Sequence, residues 1–300
     1  MGVNIAIFLS CGAFWGFSFT LMRIVMLGGG HPLAVAFWHA ATASVLVWGV
    51  LWLSGWLPRI DARFIRFAAT LGFLGGACPS ILLFWAAQNI GAGVISVCMA
   101  TVPLMQIGLS AALGIERFSA RRLFGLILGL VAVWLIADPS GGAAPWFWVV
   151  VAALGGFSYA CEDSFIAMKR PHDLNSAQIL AGMMLFYMIY TAPALLFVDP
   201  AVLSLTAPGR VEAAFLAMVP GSLLAYGAFV NLISRAGPVF ASQVAYVVTV
   251  AGVVCGAIIL GESYNVVFWF ALGLIVVGLA LGLPGGWRPR VAPDATPGGT

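Results

Sequence analysis

Two adjacent carboxylates, Glu162 and Asp163, lie within one of the long apolar stretches of the chain. A carboxylate inside the hydrocarbon of a membrane is costly and often marks a proton relay or a substrate pathway. One interpretation is therefore a site for a proton or for a substrate amine. Adjacent helix positions are about 100° apart, so both side chains cannot face one cavity equally well. The alternative is that both lie near the interface and pair with Lys169 or Arg170.

Arg23 is the first charged residue of the chain, near the end of the first apolar stretch. Its guanidinium would hold a substrate carboxylate there, or it would extend outward to the polar interface. Arg23, Glu162 and Asp163 are the candidate charge or coupling residues.

The candidate substrate-binding residues share a position near the middle of an apolar stretch. They are Trp15, Ser18, Phe19, Tyr159, Gln243 and Tyr246. Aromatic walls suit an amphipathic or aromatic metabolite, whereas ordinary helix packing is the alternative for any single aromatic residue. The polar pair Gln243 and Tyr246 aligns with apolar residues in the first half of the chain, which favours a functional role.

Four prolines interrupt apolar stretches and are possible hinges or fixed bends, because each removes one helical hydrogen bond. They are Pro79, Pro103, Pro193 and Pro220. His39 is expected to be a hydrogen-bonded packing residue. Glu116 and Glu262 each begin a loop, and we expect them to cap the helices that follow.

The composition requires a membrane to position these residues. Of the 300 residues, 62% are hydrophobic and 8% are charged, whereas about 25% of an ordinary domain is charged. So few charged side chains cannot supply the polar surface of a soluble fold. The same composition excludes a disordered chain, a basic nucleic-acid binder and a disulfide-stapled secreted module. The sequence predicts an all-α membrane protein.

The gaps between charged residues define the membrane spans, because a transmembrane helix needs about 20 mostly apolar residues. Ten spans are predicted, of which the fifth is the shortest. Their approximate limits are 4–27, 33–54, 64–86, 92–114, 120–137, 146–168, 176–198, 212–233, 238–260 and 265–283.

The basic residues predict the orientation of these spans. With ten spans and a cytoplasmic N-terminus, only Arg23 and Arg210 of the 13 Lys and Arg residues lie outside, as the positive-inside rule requires. Both termini are expected to be cytoplasmic. Arginine greatly outnumbers lysine, which favours a bacterial source and hence the cytoplasmic (inner) membrane. The Pro- and Gly-rich segment 285–300 is expected to be a disordered cytoplasmic tail.

The two halves of the chain resemble each other. The segment 16–19 (GFSF) matches 156–159 (GFSY) at an offset of 140, and 91–116 runs parallel to 237–262 at an offset of 146. Because each half has an odd number of spans, the second half must enter the membrane from the opposite side. The sequence thus predicts two inverted five-helix repeats, 1–140 and 141–284, around a central cavity, an arrangement typical of secondary transporters.

Several motifs resemble the drug/metabolite transporter superfamily, EamA type. They are Phe14-Trp15-Gly16, the series Pro103, Glu116-Arg117 and Gly125, and the second-half counterpart Gly261-Glu262 with Gly273. The resemblance covers residues 4–283 and is closest to bacterial amino-acid and aromatic amino-acid exporters. It implies that spans 1, 3, 4, 6, 8 and 9 line the cavity and that spans 5 and 10 buttress it. Thr249 replaces the proline found at Pro103, so the two halves are expected to bend differently.

The repeat and the sparse polar residues favour a secondary transporter that exports small metabolites, amino acids foremost, by alternating access. One alternative is proton-coupled efflux of cationic drugs through Glu162 or Asp163. A second is exchange of organophosphates or nucleotide sugars, which would require basic residues in the cavity, where only Arg23 is expected.

Neither an enzyme nor a cofactor-dependent protein is expected. The sequence contains no GxxxxGK[ST], HExxH or GxSxG motif, and its three histidines lack metal-ligand spacing. The expected partners are a small-molecule substrate and the lipid bilayer, without ATP, metal or nucleic acid. The chain is expected to be a monomer.

Overall fold

The structure, a computed structural model, describes residues 2–113, 120–137, 145–171, 173–202, 209–236 and 244–282. Throughout these ranges the chain forms helices joined by loops, with no β-strand. The predicted all-α class is confirmed for the described part of the chain.

The first half contains two long helices, a composite helix, a broken helix and a shorter final helix. In chain order these are α1 (Gly2–Leu27), α2 (Pro32–Ser54), α3 (Ala62–Leu71) continuing through a π-helical segment (Gly72–Ala77) into α4 (Cys78–Asn89), α5 (Ala92–Met99), α6 (Val102–Ala112) and α7 (Ala120–Ala137).

The second half contains five α-helices and one short 3-10 turn. In chain order these are α8 (Trp146–Lys169), α9 (Ser176–Thr191) with the 3-10 turn Ala192–Leu196, α10 (Arg210–Ala236), α11 (Val244–Leu260) and α12 (Val266–Gly282). The observed limits in both halves lie close to those that the charge gaps predict.

Polar side chains set several of the helix ends. The Asp61 carboxylate accepts the Phe64 N–H at 2.7 Å and begins α3. Asn175 and Gln178 form a reciprocal capping box at the start of α9, which satisfies two otherwise unpaired groups. Gly55 ends α2 in the left-handed conformation, with φ 71°, which is costly for a residue with a Cβ.

Several helices suit a lipid environment. Within the described ranges, six helices are long and apolar enough to cross a membrane, and four further apolar helices are shorter. Large apolar side chains also face outward, among them Leu53 and Val266, each 80% exposed. Such an apolar surface would be a liability in water. The chain is therefore a multi-pass membrane protein, while the total of ten spans stays a prediction.

The helices pack into one bundle in which each half contacts the other. Helix α1 packs against α10 and α11, and α8 packs against α4, α5 and α6. Helix α2 packs against α9, and α7 packs against α12. Helix α8 also packs against the π-helical segment of the composite helix.

Candidate functional site

The π-helical segment interrupts the hydrogen-bond ladder in the middle of the composite helix. The Cys78 N–H donates to the carbonyl of Phe73, five residues back, and Pro79 has no N–H to donate. The carbonyl of Leu74 therefore lacks its usual partner in its own helix. Such π-helical turns inside α-helices are frequent at functional sites.

Helix α8 presents Ser158 and Glu162, one turn apart, to this segment. The Ser158 hydroxyl donates to the freed Leu74 carbonyl at 2.7 Å. The Glu162 carboxylate occupies the space that a Cβ would take at residue 75, which is glycine. The local sequence thus creates both an open carbonyl and a recess, and α8 fills them with a hydroxyl and a carboxylate.

The Glu162 carboxylate is buried deep in the bundle. Its side chain is 5% exposed, and Oε1 has no hydrogen-bond partner among the described residues. At 1.5 Å per residue, Glu162 is about 11 Å from the C-terminal end of α8. A buried carboxylate with an unpaired oxygen is unfavourable unless a proton or a cation meets it.

Asp163 is less buried than Glu162, as expected for the adjacent helix position. Pairing with the basic residues at the end of α8 is not observed. In the part of the chain that the structure describes, neither carboxylate forms an ion pair with Lys169 or Arg170, and the ion pair present joins Arg63, in the first turn of α3, to Asp173 in the loop before α9 at 3.6 Å.

Two tyrosines lie within electrostatic range of Glu162. Tyr159 is on α8 itself, and Tyr226 is on α10. Tyr159 was predicted as a site residue, whereas Tyr226 was not. Its only signal in the sequence is that of an isolated polar ring in an apolar stretch.

A second polar cluster joins α2, α9 and α10. The His39 ring lies 6.1 Å from the Tyr187 ring, and its Nε2 is 3.4 Å from the Ser222 hydroxyl. His39 Nδ1 has no hydrogen-bond partner within the described ranges. Tyr187 packs against Gly76 of the π-helical segment, so this cluster and Glu162 meet the same irregular turn. Sequence reasoning missed Tyr187 and Ser222.

The predicted α1 residues face a different neighbour. The Trp15 ring lies 5.1 Å from the Phe229 ring of α10. The Ser18 hydroxyl donates to the Trp15 carbonyl within its own helix at 2.6 Å, and Phe19 packs against the apolar core. The packing interpretation accounts for the observed Trp15 and Ser18 contacts, and a substrate-binding role for the three residues stays a prediction.

Arg23 ties α1 to α4. Its guanidinium donates to the Ala87 carbonyl and lies within electrostatic range of Glu262. Its position is therefore at one end of the bundle, in a contact that the sequence did not predict.

The expectation that Glu262 caps the following helix is wrong. Asn265 caps α12, with its side-chain oxygen accepting a backbone N–H at 2.9 Å. The Glu262 carboxylate instead accepts the N–H groups of Ala92 and Gly93, at 2.6 and 3.0 Å, at the start of α5. The reason is a left-handed turn at Gly261, with φ 68°, after which the chain turns back toward the first half.

Three of the four predicted hinge prolines lie at irregular backbone. Pro79 follows the π-helical segment, Pro103 follows the break between α5 and α6, and Pro193 lies in the 3-10 turn after α9. Pro220 lies inside α10. Movement at these positions stays a prediction.

Some predicted residues fall outside the described part. These are Gln243, Glu116 and the residues of the tail 285–300. Tyr246 lies in the first turn of α11, where the backbone alone is described. Among the described residues, no group of three or more His, Cys, Asp or Glu side chains is arranged to hold a metal.

Ionisable side chains inside a membrane bundle commonly mark the path of a substrate or a proton. The recessed carboxylate and the sparse polar clusters therefore favour a transport protein over a purely structural one. The chain belongs to the EamA-like transporter family, whose model matches residues 3–137 and 146–283. It is therefore a membrane transporter of the EamA type. The predicted resemblance to this family is confirmed.

Two curated relatives are also described as transporters. The chain is 29% identical to the "uncharacterized inner membrane transporter YedA" of Escherichia coli (strain K12) over 294 residues, covering 93% of this chain and 91% of that protein. It is 28% identical to an "uncharacterized transporter" of Archaeoglobus fulgidus over 127 residues, covering 42% of this chain and 45% of that protein.

A solved crystal structure has a similar fold. It superposes with a TM-score of 0.58 at 17% identity, covering 90% of this chain and 97% of the other. At that identity the likeness shows the fold alone.

Proposed function

We propose that this transporter exports small metabolites, amino acids including aromatic ones foremost, by alternating access. Its two inverted five-helix repeats, 1–140 and 141–284, would enclose a central site in the bacterial cytoplasmic membrane, with both termini cytoplasmic. The E. coli relative is described as an inner membrane protein, which supports this location. The transporter would work as a monomer without ATP or a cofactor.

Equivalent contacts in the two halves support the repeat. A Cβ at Gly16 would meet Val248, and a Cβ at Gly156 would meet Val102; these pairs are related by the offsets of 140 and 146 found in the sequence. Helix α2 packs against α9, and α7 against α12, and each of these contacts joins two helices that are equivalent in the proposed repeat. The family model also matches each half separately.

The observation that carries the proposal is the recessed carboxylate of Glu162. It lies beside the π-helical segment with one unpaired oxygen, and an ionisable side chain inside a membrane bundle usually marks a substrate or proton pathway. An ammonium group is a natural partner for this oxygen, since a charge-assisted hydrogen bond would relieve its desolvation. Tyr159 and Tyr226 would provide aromatic surface nearby, and Trp15, Phe19, Ser18, Gln243 and Tyr246 remain candidate contacts.

Counterflow in liposomes tests the substrate class. Purified protein is reconstituted with one unlabelled amino acid inside, and uptake of the same labelled amino acid is followed for each amino acid in turn. We expect accumulation for a subset that includes aromatic amino acids. Absence of flux for every amino acid, with flux of an organophosphate or a cationic dye instead, would contradict the amino-acid assignment.

The variant Glu162→Gln tests the site. Removing one partner of a buried charge pair costs about 2–5 kcal/mol, so we expect KM to rise by at least roughly thirtyfold. Asp173→Asn is the matched control, because it removes an exposed carboxylate from a loop. Equal KM values for the wild type and Glu162→Gln would remove Glu162 from the substrate site.

A second candidate function is proton-coupled efflux of cationic drugs through the Glu162–Asp163 pair. The same unpaired carboxylate oxygen favours it, because it would accept either a proton or a cation. Under this function, Glu162→Gln abolishes uphill transport driven by a pH gradient and leaves no drug resistance in cells. If the Glu162→Gln/Asp163→Asn double variant still confers resistance, this second function is wrong.

A further inference from the structure

The loop between α11 and α12 fastens the second half of the chain to the first. Both oxygens of the Glu262 carboxylate are engaged, one by the N–H of Ala92 and the other by the N–H of Gly93. The Tyr264 hydroxyl donates to the same carboxylate at 2.8 Å. Burial, the hydrogen bond to Glu262 and its negative charge all raise the pKa of Tyr264, so this hydroxyl remains a donor at physiological pH.

Glycines surround this contact where any side chain would obstruct it. A Cβ at Gly91 would lie 2.7 Å from the Glu262 carboxyl carbon, and one at Gly256 would lie 2.7 Å from both Glu262 Oε2 and the Tyr264 hydroxyl. A Cβ at Gly93 would overlap the Tyr264 hydroxyl. The close approach of loop and helix is therefore possible only because three separate positions carry no side chain.

The groups around the Glu262 carboxylate stabilise its negative charge. The first N–H groups of α5 have no partner within their own helix, and the helix dipole places partial positive charge there. The Glu262 carboxylate satisfies these groups, and Arg23 of α1 lies within electrostatic range. Because Asn265 already caps α12, the Glu262 carboxylate is available to bind the N–H groups at the start of α5.

The contact lies at one end of the bundle, a mouth at which neighbouring helices pack together. At this end α1 packs against both α4 and α5, and Arg23 bonds to the Ala87 carbonyl. In the described part of the chain, the packing of α8 against α10 and α11 is at most marginal, although α8 is the sequence equivalent of α1. The two ends of the bundle therefore differ.

Helix α5 connects this mouth to the candidate site. Its first residues hold Glu262, and its last residue, Met99, packs against Gly156 of α8, with Cε 3.2 Å from where a Cβ would be. Gly156 precedes Ser158, which bonds to the π-helical segment. A shift of α5 would therefore change both its contact with Glu262 and its packing against α8.

We propose that Glu262, Tyr264 and the N–H groups of Ala92 and Gly93 form a latch that closes this mouth and opens once in each transport cycle. Glu262 and Tyr264 are then positioning residues, which act on transport through α5. The mouth is the external one in the topology proposed above, and the proposal rests on alternating access as part of the proposed function.

Distance measurements between spin labels on either side of the latch test it. The five cysteines are first replaced, and labels are placed at Asn89→Cys and Val266→Cys, two exposed positions that flank the latch. The variants Glu262→Gln and Tyr264→Phe each remove part of the latch. Ser263→Ala, an exposed position in the same loop, is the matched control.

We expect one short distance in the parent and in Ser263→Ala, and an added longer population in Glu262→Gln. A smaller added population is expected in Tyr264→Phe, which keeps the carboxylate. Superimposable distributions in the parent and Glu262→Gln would overturn the latch, and so would equal broadening in Ser263→Ala and Glu262→Gln. If Glu262→Gln does not fold, the comparison of Tyr264→Phe with Ser263→Ala decides in the same way.

Because these distances need no substrate, the latch and the proposed function fail separately. Suppose that the parent protein shows no amino-acid counterflow, but that loss of Glu262 adds the long-distance population. The latch then stands and the proposed substrate class is wrong. If the parent protein shows full counterflow and the distances do not change on loss of Glu262, the substrate assignment stands and the latch is wrong.

Discussion

Helices α1 and α8 match in the sequence repeat, and the structure gives them the same glycine contacts but different polar ones. Gly16 of α1 meets Val248, and Gly156 of α8 meets Val102. Where α8 carries the recessed Glu162, α1 carries a buried methionine, Met22. The position of the helix contact is thus shared by the two helices, whereas the carboxylates are on one of them.

The charged residues that follow show the same division. Arg23 of α1 bonds to a carbonyl of α4 and stands near the latch, so it contributes to a closed mouth. Its equivalent, Asp163, lies beside Glu162 on α8. One helix of the pair therefore holds helices together, and the other bears carboxylates in the membrane interior.

The largest effect is expected from filling the recess beside α8. Gly75→Ala would place a Cβ on the Glu162 carboxylate, and overpacking of this kind costs about 1–3 kcal/mol. We therefore expect loss of transport together with a lower unfolding temperature, measured by counterflow and by tryptophan fluorescence in detergent. Gly49→Ala, where a Cβ meets nothing within 4 Å, should leave both unchanged. Full transport by Gly75→Ala would contradict the recess.

The next effect separates the two equivalent glycines. A Cβ at Gly16 would overlap the rigid Val248 carbonyl, whereas a Cβ at Gly156 would meet side-chain ends, the nearest at 3.1 Å. We expect Gly16→Ala to destabilise by about 1–3 kcal/mol and Gly156→Ala by clearly less, in thermal unfolding. The reverse order would mean that the α8 contact, rather than the α1 contact, is the tighter one.

The smallest effect compares two equivalent serines. Ser158 donates to a carbonyl of another helix, whereas Ser18 donates within its own helix. Side-chain hydrogen bonds between membrane helices contribute about 0.6–1.7 kcal/mol, so Ser158→Ala should destabilise by that amount. Ser18→Ala should stay within about 0.5 kcal/mol. Equal unfolding temperatures for the two variants would show that the π-helical carbonyl needs no partner.

Much of the fold could be predicted because membrane helices are encoded locally. The charge-free stretches predicted limits such as 33–54 for α2, which spans Pro32–Ser54, since hydrophobic length is a property of one segment. The π-helical segment was missed, although Gly75, Gly76 and Pro79 were visible signals. Its freed carbonyl is bonded by Ser158, which is remote in sequence, so no local pattern reveals the whole arrangement.

The amino-acid sequence by itself determined that this chain crosses a membrane several times and belongs to a transporter family, because apolar length and repeated motifs are read along the chain. Only the tertiary structure decided that Glu162, rather than Asp163, is recessed and that Glu262 caps α5 instead of α12. Neighbouring helix positions point about 100° apart, so the choice between adjacent carboxylates depends on which face meets Gly75. The partner of Glu262 lies some 170 residues away along the chain, where no local rule of helix capping applies.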